Sequence, residues 1–320
     1  MELRIWQWDK DNSLISSFLD GMAIAHHEAK HSEEWFHWKF EQSPYGKALL
    51  ACAFDGDRVA GCVAYGRGIV KYKGKNWASA LSYETFVHPD YQGKGLFKKL
   101  ISLAEKEMAN QGIQFLYNFP NSNSITGFKH MNWICRNDIR CFKIKPVNLL
   151  RVLINAKDLK KPFKPNPSNL DRIKDTILKD ISIPETNYDV LTPLWTKEYL
   201  RWRFFTHPNR EYLVINNEYF FSISMTGKRG KLNVVHLLYA TSKNGNQING
   251  LMPRILCDIK KLNHVDLLEY SSTVFDDTLS KCFGFFKVPA HGNFCYKVLD
   301  SSMEINDFKI ELPSINAHTY

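Results

Sequence analysis

The stretch "FVHPDYQGKGLFKKLISLAE", residues 86–105, decides how the surrounding chain folds. A β-like run ends at its proline, and a helical pattern begins at Leu96, with apolar residues three and four positions apart. Between them stands a turn of Gly93, Lys94 and Gly95, in which glycine lets the backbone bend sharply. Backbone amides at such a turn and the positive end of the following helix attract phosphate groups. The stretch therefore predicts an anion-binding turn.

This turn differs from two common phosphate-binding motifs. No Gly-Lys-Ser/Thr follows, so the sequence is not a Walker P-loop, and no G-x-G-x-x-G lies in a parallel β-α-β unit. The simpler alternative is a glycine turn with a purely structural role. That alternative explains one glycine, but it does not explain Gly-Lys-Gly directly after Tyr-Gln.

The flanking segments predict a mixed sheet. Upstream, an apolar run at 48–54, a "DGDR" turn and two further runs at 59–72 and 77–89 indicate an antiparallel meander. Downstream, the pattern predicts a strand, a short helix and a single closing strand, namely "GIQFLYNF", "NSITGFKHMNW" and "ICRNDIRCFKI". The order β-β-β-loop-α-β-α-β is typical of an α/β (α+β) fold with a mostly antiparallel twisted sheet flanked by helices.

A short sequence pattern occurs twice. The stretch "EWFHWKFEQSP" at 34–44 aligns without a gap with "EYLRWRFFTHP" at 198–208, and the later order of apolar runs also repeats. An internal duplication is the favoured interpretation, and two unrelated domains sharing a similar helix start are the alternative. The duplication predicts a first unit at 1–145, a connector at 146–190 and a second unit at 191–320.

Composition and charge narrow the classes of function but do not identify one. The chain has 320 residues, a formal charge of +9 and seven cysteines with no C-x-x-C pair, which predicts reduced thiols and a cytoplasmic protein. No apolar run is long enough to predict a membrane span, and the start has no secretory pattern. The charge allows nucleic acid, an anionic membrane surface or a phosphorylated ligand as partner. Aromatic residues do not alternate with basic ones, so no nucleic-acid partner is expected.

Two segments resemble motifs of the GNAT superfamily of N-acetyltransferases. The stretch "QGKGLF" resembles motif A, Gln/Arg-x-x-Gly-x-Gly/Ala, although Phe97 stands where the last small residue is expected. The stretch "NFPNSNSITGFKHMNW" resembles motif B, with Asn121 opening a helix and Asn132-Trp133 in place of Gly-Phe. The resemblance covers residues 33–145 and extends weakly to the second half. It implies two tandem GNAT-like domains.

The resemblance also implies a cofactor site. Acetyl-CoA or another acyl-CoA would be the co-substrate, without a metal, and would lie where the fourth and fifth strands splay apart. The backbone of Phe86 and Val87 would bond the pantetheine arm, while Asn121 and Ser124 would face it from the other side. Phe128 occupies the position of the usual acid, a tyrosine. The pyrophosphate would be held by the amides of Gln92, Gly93, Lys94, Gly95, Leu96 and Phe97.

Candidate catalytic groups follow from acyl transfer to an amine, which needs a base for the amine proton. In the superfamily this base is often a glutamate on the strand before motif A, and Glu84 is the only carboxylate there. A surface glutamate is the alternative. Phe128 cannot donate a proton to the leaving thiolate, so Tyr83, Tyr117 and His130 are the candidate acids. The alternative is that the thiolate leaves without a dedicated acid.

The second unit is expected to be degenerate. Gly245 and Gly250 are too far apart to form one tight cradle, so this unit would shape the acceptor site instead, with Trp202, Arg203 and His207 as candidates. The alternatives are Trp202 as a core residue, which is favoured for this tryptophan, and Arg203 as a helix cap. The expected acceptor is a small-molecule amine, for which a nucleotide-linked amino sugar of a surface-polysaccharide or cell-wall precursor is the specific hypothesis. A monomer or homodimer is expected. A non-catalytic binder of acyl-CoA or nucleic acid is the alternative function.

One motif is interpreted as a coincidence. The stretch "HEAKH" at 27–31 matches H-E-x-x-H, which on a helix can bind zinc. Lys30 would place a charge beside the metal, and no third ligand is evident. The favoured interpretation is a polar helix face near the acceptor, without metal.

Overall fold

The strands form two sheets in a computed structural model. The structure describes residues 1–121, 124–136, 140–166, 178, 181, 189–210, 212–242, 248–262, 264–273, 286–289, 293–305 and 308–310. In this part of the chain, no helix has the length and apolar character needed to cross a bilayer.

The first part of the chain builds most of the first sheet. The helices are α1 Ile15–His26, α2 Glu33–Phe40, α3 Leu96–Asn110 and α4 Ile125–His130. The strands are β1 Glu2–Ile5, β2 Leu49–Asp55, β3 Arg58–Tyr72, β4 Lys75–Val87, β5 Phe115–Asn118 and β6 Ile134–Arg136. The predicted meander is thus confirmed as β2–β4, and the helix predicted from Leu96 is α3.

The remaining elements build most of the second sheet. The helices are α5 Leu149–Ile154, α6 Lys197–Leu200, which continues as a π-helix over Arg201–Phe205, and α7 Ile248–Lys260. The strands are β7 Arg140–Pro146, β8 Lys164–Pro165, β9 Val190–Pro193, β10 Leu213–Asn216, β11 Phe220–Arg229, β12 Leu232–Ser242, β13 Leu267–Thr273, β14 Phe286–Pro289, β15 Phe294–Val298 and β16 Lys309–Ile310.

The two sheets exchange strands. The first sheet runs β1-β2-β3-β4-β5-β15-β6, so the late strand β15 lies between two early strands. The second sheet runs β10-β11-β12-β13-β7-β14, so the early strand β7 lies between two late strands. Pairs β4–β5 and β12–β13 are parallel, and most other pairs are antiparallel. The mixed, mostly antiparallel fold class is confirmed.

The single closing strand predicted at 134–144 is wrong. This stretch forms β6 in the first sheet and β7 in the second. A sequence pattern predicts that a segment is extended, but it does not say which sheet edge accepts it, since both edges offer the same backbone groups. Neither sheet is confined to one half of the chain. The unit bounds 1–145 and 191–320 stay a prediction.

The exchange also pairs two cysteines. Cys135 on β6 lies directly opposite Cys295 on β15, and their sulfurs form a disulfide across 160 residues of sequence. The expectation of reduced thiols throughout the chain is therefore wrong for this pair. No local pattern indicates this pair, because the proximity of the two cysteines depends on β15 entering the first sheet.

The first sheet has a core on each face. On one face α1 and α2 pack through buried aromatic residues, including Trp6, Phe18 and Phe36. On the other face α3 packs through Leu100, Ile101, Ala104 and Met108, the apolar stripes expected from the sequence. Packing on both faces of the sheet holds α3, including its first turn, against β2, β3 and β4.

The two copies of the repeated pattern meet face to face. Indole Nε1 of Trp38 donates to the carbonyl oxygen of Trp202 at 2.9 Å, and Nε1 of Trp202 donates to the carbonyl oxygen of Trp38 at 2.8 Å. Their rings stack with centroids 5.3 Å apart. The helix starts also match, since Ser32 and Thr196 each cap the amide three residues later. This local equivalence agrees with the proposed duplication.

Replacing Trp202 by phenylalanine tests this contact. Trp202→Phe keeps a ring but leaves the Trp38 carbonyl without its indole donor, which costs about 1 to 3 kcal/mol. Trp8→Phe is the matched control, because Nε1 of buried Trp8 has no acceptor in the described part of the chain. Urea denaturation should show a larger loss of unfolding free energy for Trp202→Phe. Equal losses would mean that the hydrogen bond contributes nothing.

Candidate active site

The glycine turn before α3 presents unpaired backbone amides. Gly93 and Gly95 have φ angles of 74° and 68°, in the left-handed region that glycine adopts without strain. The amide of Gln92 still bonds to the Pro89 oxygen, but the amides of residues 93–98 have no acceptor among the described residues. The turn is exposed from residue 92 to 95. These amides and the helix start form a cradle suited to an anion.

Two side chains frame this turn. Lys94 Nζ donates to the Asp90 oxygen at 3.2 Å and lies 4.9 Å from the centre of the Tyr91 ring. Gln92 Nε2 donates to the Val87 oxygen at 3.2 Å. The Gln92 contact binds the turn to the end of β4, and the Lys94 contact binds it to the segment just after β4, so the cradle is held in place before any ligand arrives.

The strands next to the turn splay apart. β4 and β5 pair in parallel only from Ser79–Phe115 to Leu81–Tyr117, whereas β4 continues to Val87 against β3. The edge of β4 beyond Leu81 therefore faces a gap that leads toward the turn. The ring of Phe86 points away from this gap into the core, against Phe18 at 5.3 Å, so its backbone is what faces a ligand.

The motif B segment forms a capped helix across this gap. Asn121 Oδ1 accepts from the amide of Ser124 at 3.0 Å and from its hydroxyl at 3.1 Å, directly before α4. Phe128 on that helix is buried and packs against Trp133 at 4.8 Å. Its side chain belongs to the core, so a ligand contact through the Phe128 ring is not formed.

Phe97, the departure from motif A, has a structural reason. Its ring packs edge-on against Phe128 at 5.4 Å and covers Gly127, where an added Cβ would overlap the Phe97 ring. A large residue at 97 is therefore matched by the absence of a side chain at 127. The amide of Phe97 keeps its place in the cradle.

Glu84 lies on a β-bulge of β4. The pairing with β3 shifts between Cys62 and Ala64, and Glu84 takes a φ of 45°, unusual for a residue other than glycine. The bulge directs a largely buried carboxylate to Lys39, whose Nζ lies 3.4 Å from Oε1 of Glu84. Strand alternation alone would not have placed this side chain.

Lys39 is a candidate site residue that the sequence pattern alone did not single out. Its ammonium is buried beside the rings of Trp35, Trp38 and Tyr83. Burial lowers the pKa of Lys39 to about 8, even though the Glu84 carboxylate favours the charged form. The repeat contained a signal for it, because Lys39 aligns with Arg203 and both reach the same cavity.

A cavity of about 70 Å³ lies between the first sheet and the second copy of the repeated pattern. Its polar lining includes Lys39, Tyr45, Tyr83, Tyr117, Tyr199 and Arg203. Burial raises the pKa of Tyr45 to about 12 and raises the pKa of Tyr83 and of Tyr117 further, so these phenols stay protonated near neutral pH. The cavity is thus lined by hydroxyl donors and cations.

Some of the other predicted site residues line this cavity, and others do not. Trp202 and Arg203 line it. His207 does not; it is buried with Nδ1 accepting from the amide of Asn209, and burial lowers its pKa to about 2. His130 is exposed at the end of α4 and does not line the cavity either.

The "HEAKH" stretch is not helical. α1 ends at His26, and His27 turns into the left-handed region at φ 57°, so His27 and His31 do not share a helix face. His31 instead stacks on Trp35 at 3.9 Å. Within the described ranges, no three potential metal ligands cluster together.

A buried ion-pair cluster links β12 and β13 of the second sheet within their paired stretch. His236 pairs with Glu269 across β12 and β13, and Arg229 binds the same carboxylate. Burial alone would raise the pKa of Glu269, but hydrogen bonds from His236 and Arg229 lower it overall. Phe163 packs against His236 and over Gly227, which has no room for a Cβ. Gly245, expected to form no tight cradle with Gly250, lies outside the described residues, and Gly250 lies in α7.

The buried ammonium of Lys39 predicts a pH-dependent stability. Its pKa is about 8 in the folded chain and about 10.5 when unfolded, so the unfolded state binds more protons between these values. The cost of burying the charge is full below pH 8 and shrinks as pH rises. The unfolding free energy of the wild type should rise by about 2 kcal/mol from pH 8 to 9.5, relative to Lys39→Arg.

Urea denaturation across this pH range checks the prediction. Arginine stays charged throughout, so Lys39→Arg serves as the reference, while Lys39→Met removes the titrating group and should also lack the rise. Parallel curves for the wild type and both variants would show that Lys39 titrates as in the unfolded chain.

Known proteins resemble this chain at two levels. Residues 15–133 match a family model described as Acetyltransferase (GNAT) domain. An N-myristoyltransferase of Saccharomyces cerevisiae with bound myristoyl-CoA has 12% identity and a TM-score of 0.56, covering 92% of this chain and 77% of that one. A GCN5-related N-acetyltransferase from Anabaena variabilis has 9% identity and a TM-score of 0.61, with coverage of 93% and 73%.

A third structure, Eis1 from Mycobacterium abscessus, has 10% identity and a TM-score of 0.59, covering 93% of this chain and 73% of that one. No curated protein matches the sequence. At these identities the solved structures show a shared fold, which extends over nearly the whole chain, while the family match is confined to the first sheet and its helices.

Proposed function

Residues 15–133 are a GNAT acetyltransferase domain, and from this premise we propose that the protein is an acyl-CoA-dependent N-acyltransferase. Acetyl-CoA is the proposed donor. The acetyl group passes directly from the thioester to an amine while both substrates are bound. The amine nitrogen forms a bond to the carbonyl carbon, the carbon–sulfur bond breaks, and CoA leaves as the thiol after it takes up a proton.

The observation that carries this proposal is the glycine turn. Its unpaired amides from residue 93 to 98 lie at the start of α3, beside the gap between β4 and β5. A pyrophosphate in the cradle and an extended pantetheine arm along the open edge of β4 would satisfy both features at once. The exposed turn admits the cofactor from solvent, and the gap leads inward to the cavity.

Glu84 is the proposed acceptor of the amine proton, directly or through water. Its ion pair with Lys39, which lines the cavity, orients the carboxylate. Tyr83 and Tyr117 line the cavity as protonated phenols, so one of them is the proposed donor to the departing thiolate. His130 is not proposed for this role, because it lies exposed and outside the cavity lining.

Gly95→Val tests the cofactor site. A branched side chain with positive φ strains the turn and fills the cradle, so CoA affinity should fall by an order of magnitude or more. Gly112→Val is the matched control, since Gly112 also has a positive φ, of 75°, at the other end of α3 and open space around it. Isothermal titration should give one CoA site per chain, which only Gly95→Val abolishes.

Two results of that titration would contradict the assignment. A second site of comparable affinity would mean that the second sheet also binds CoA. A single site that survives Gly95→Val in a folded protein would place the cofactor elsewhere. Equal losses in the two variants would attribute the effect to backbone strain at α3.

Glu84→Gln tests the base. It keeps the shape of the side chain and removes its basicity, so acetyl transfer should slow by about 100-fold or more at neutral pH with CoA affinity retained. Glu107→Gln on α3, away from the cavity, is the control. A nearly normal rate across the pH range in Glu84→Gln would move the role to another group or to bound water.

The acceptor proposed for this site is a small amine, specifically a nucleotide-linked amino sugar of a surface-polysaccharide or cell-wall precursor in the cytoplasm. The cations Lys39 and Arg203 at the cavity support a negatively charged substrate. A screen of UDP- and dTDP-amino sugars with acetyl-CoA, read by mass, tests it. Including myristoyl-CoA tests the acyl length, for which the small cavity favours acetyl.

A non-catalytic binding module is the second candidate, supported by the +9 charge. Acceptor-dependent release of free thiol from acetyl-CoA would exclude it. Salt-sensitive retention of DNA without thiol release would support it instead.

A further inference from the structure

Helix α5 exposes an unusual amount of apolar surface. Its residues Leu149, Leu150, Leu153 and Ile154 have 58%, 70%, 64% and 72% of their surface exposed. Their spacing places all four on one side of the helix, while Val152 on the other side is buried in the core of the second sheet. Adjacent large aliphatic residues exposed in this way indicate an interaction site.

Basic residues surround this apolar face. Lys157, Lys160 and Lys231 are exposed and have no carboxylate within ion-pair distance in the part of the chain that the structure describes. The position of Lys231 is fixed because its amide donates to Asp158 Oδ2 at 2.8 Å. We call these three lysines and the four exposed aliphatic residues of α5 the α5 surface.

Among the described residues, the carboxylates that contact the α5 region are buried. Asp158, the only acidic residue from 140 to 170, is buried and ion-paired with Lys161 at 2.9 Å. Nearby Asp266 is buried too, 3.3 Å from Arg151. The carboxylates thus hold the turn after α5 against the β11–β12 hairpin, and the outward surface combines aliphatic side chains with cations.

We propose that the α5 surface docks the protein on an anionic phospholipid membrane. Aliphatic side chains beside lysines fit the boundary between acyl chains and negatively charged headgroups, where the lysines contact lipid phosphates. A second copy of this chain would bring like charges together across a symmetric contact, which disfavours self-association through this face.

The small size of the surface sets the kind of binding. One short helix and three lysines give a weak, reversible and salt-sensitive attachment, with α5 lying in the headgroup plane. This proposal does not depend on the acyltransferase reaction. It places the protein at the membrane surface, where an acceptor attached to a lipid would also be found.

Vesicle co-sedimentation of the full chain tests the proposal. The wild type should bind vesicles of phosphatidylcholine with phosphatidylglycerol and should not bind phosphatidylcholine alone, and raised salt should release it. Leu150→Ser with Ile154→Ser, and separately Lys157→Glu with Lys160→Glu, should each weaken binding about tenfold or more. Matched controls are Ile24→Ser for an exposed aliphatic residue elsewhere and Lys10→Glu with Lys106→Glu for the charge change.

Several outcomes would overturn it. They are absence of wild-type binding to the anionic vesicles, equal binding by the α5 variants and the wild type, or equal weakening by the controls. A solution dimer that Leu150→Ser with Ile154→Ser converts to a monomer would assign the face to a second copy instead. A thermal unfolding midpoint unchanged in the α5 variants shows that lost binding is not lost folding.

Discussion

The reciprocal hydrogen bonds between Trp38 and Trp202 are the contact on which the rest of this arrangement depends. Each indole donates to the other's carbonyl, so two equivalent helices are held at a fixed separation. Each bond contributes about 1 kcal/mol, and the stacked rings exclude water from both. The exchange of β7 and β15 between the sheets also connects the two halves of the chain. Each sheet is completed by a strand from the other half of the chain.

This contact creates the cavity. Residues immediately before and within the repeated helices face each other across it, with Lys39 from one copy and Tyr199 and Arg203 from the other. The second half therefore contributes side chains to a cavity that the first sheet borders.

The proposed cofactor cradle at the glycine turn and the cavity differ in how far apart in sequence their residues are. The cradle is local, since two glycines and a helix start within a few residues are sufficient to expose the amides. The Glu84–Lys39 pair is tertiary, since a bulge on β4 and a buried lysine on α2 must meet within a desolvated space. Substitutions in the cradle should therefore alter ligand affinity with little effect on the fold. Substitutions at the pair should alter stability as well as the proposed chemistry.

The sequence by itself determined the elements whose causes are local. The meander, the glycine turn, the apolar stripes of α3 and the repeated helix start follow from residues close together in the chain. Only the tertiary structure decided which sheet accepts β6, β7 and β15, because the edges of both sheets offer the same backbone hydrogen-bonding groups. It also decided the Cys135–Cys295 pair, the burial of Phe128 and the partner of Glu84. Each depends on groups distant in sequence, whose meeting is fixed by packing rather than by periodicity.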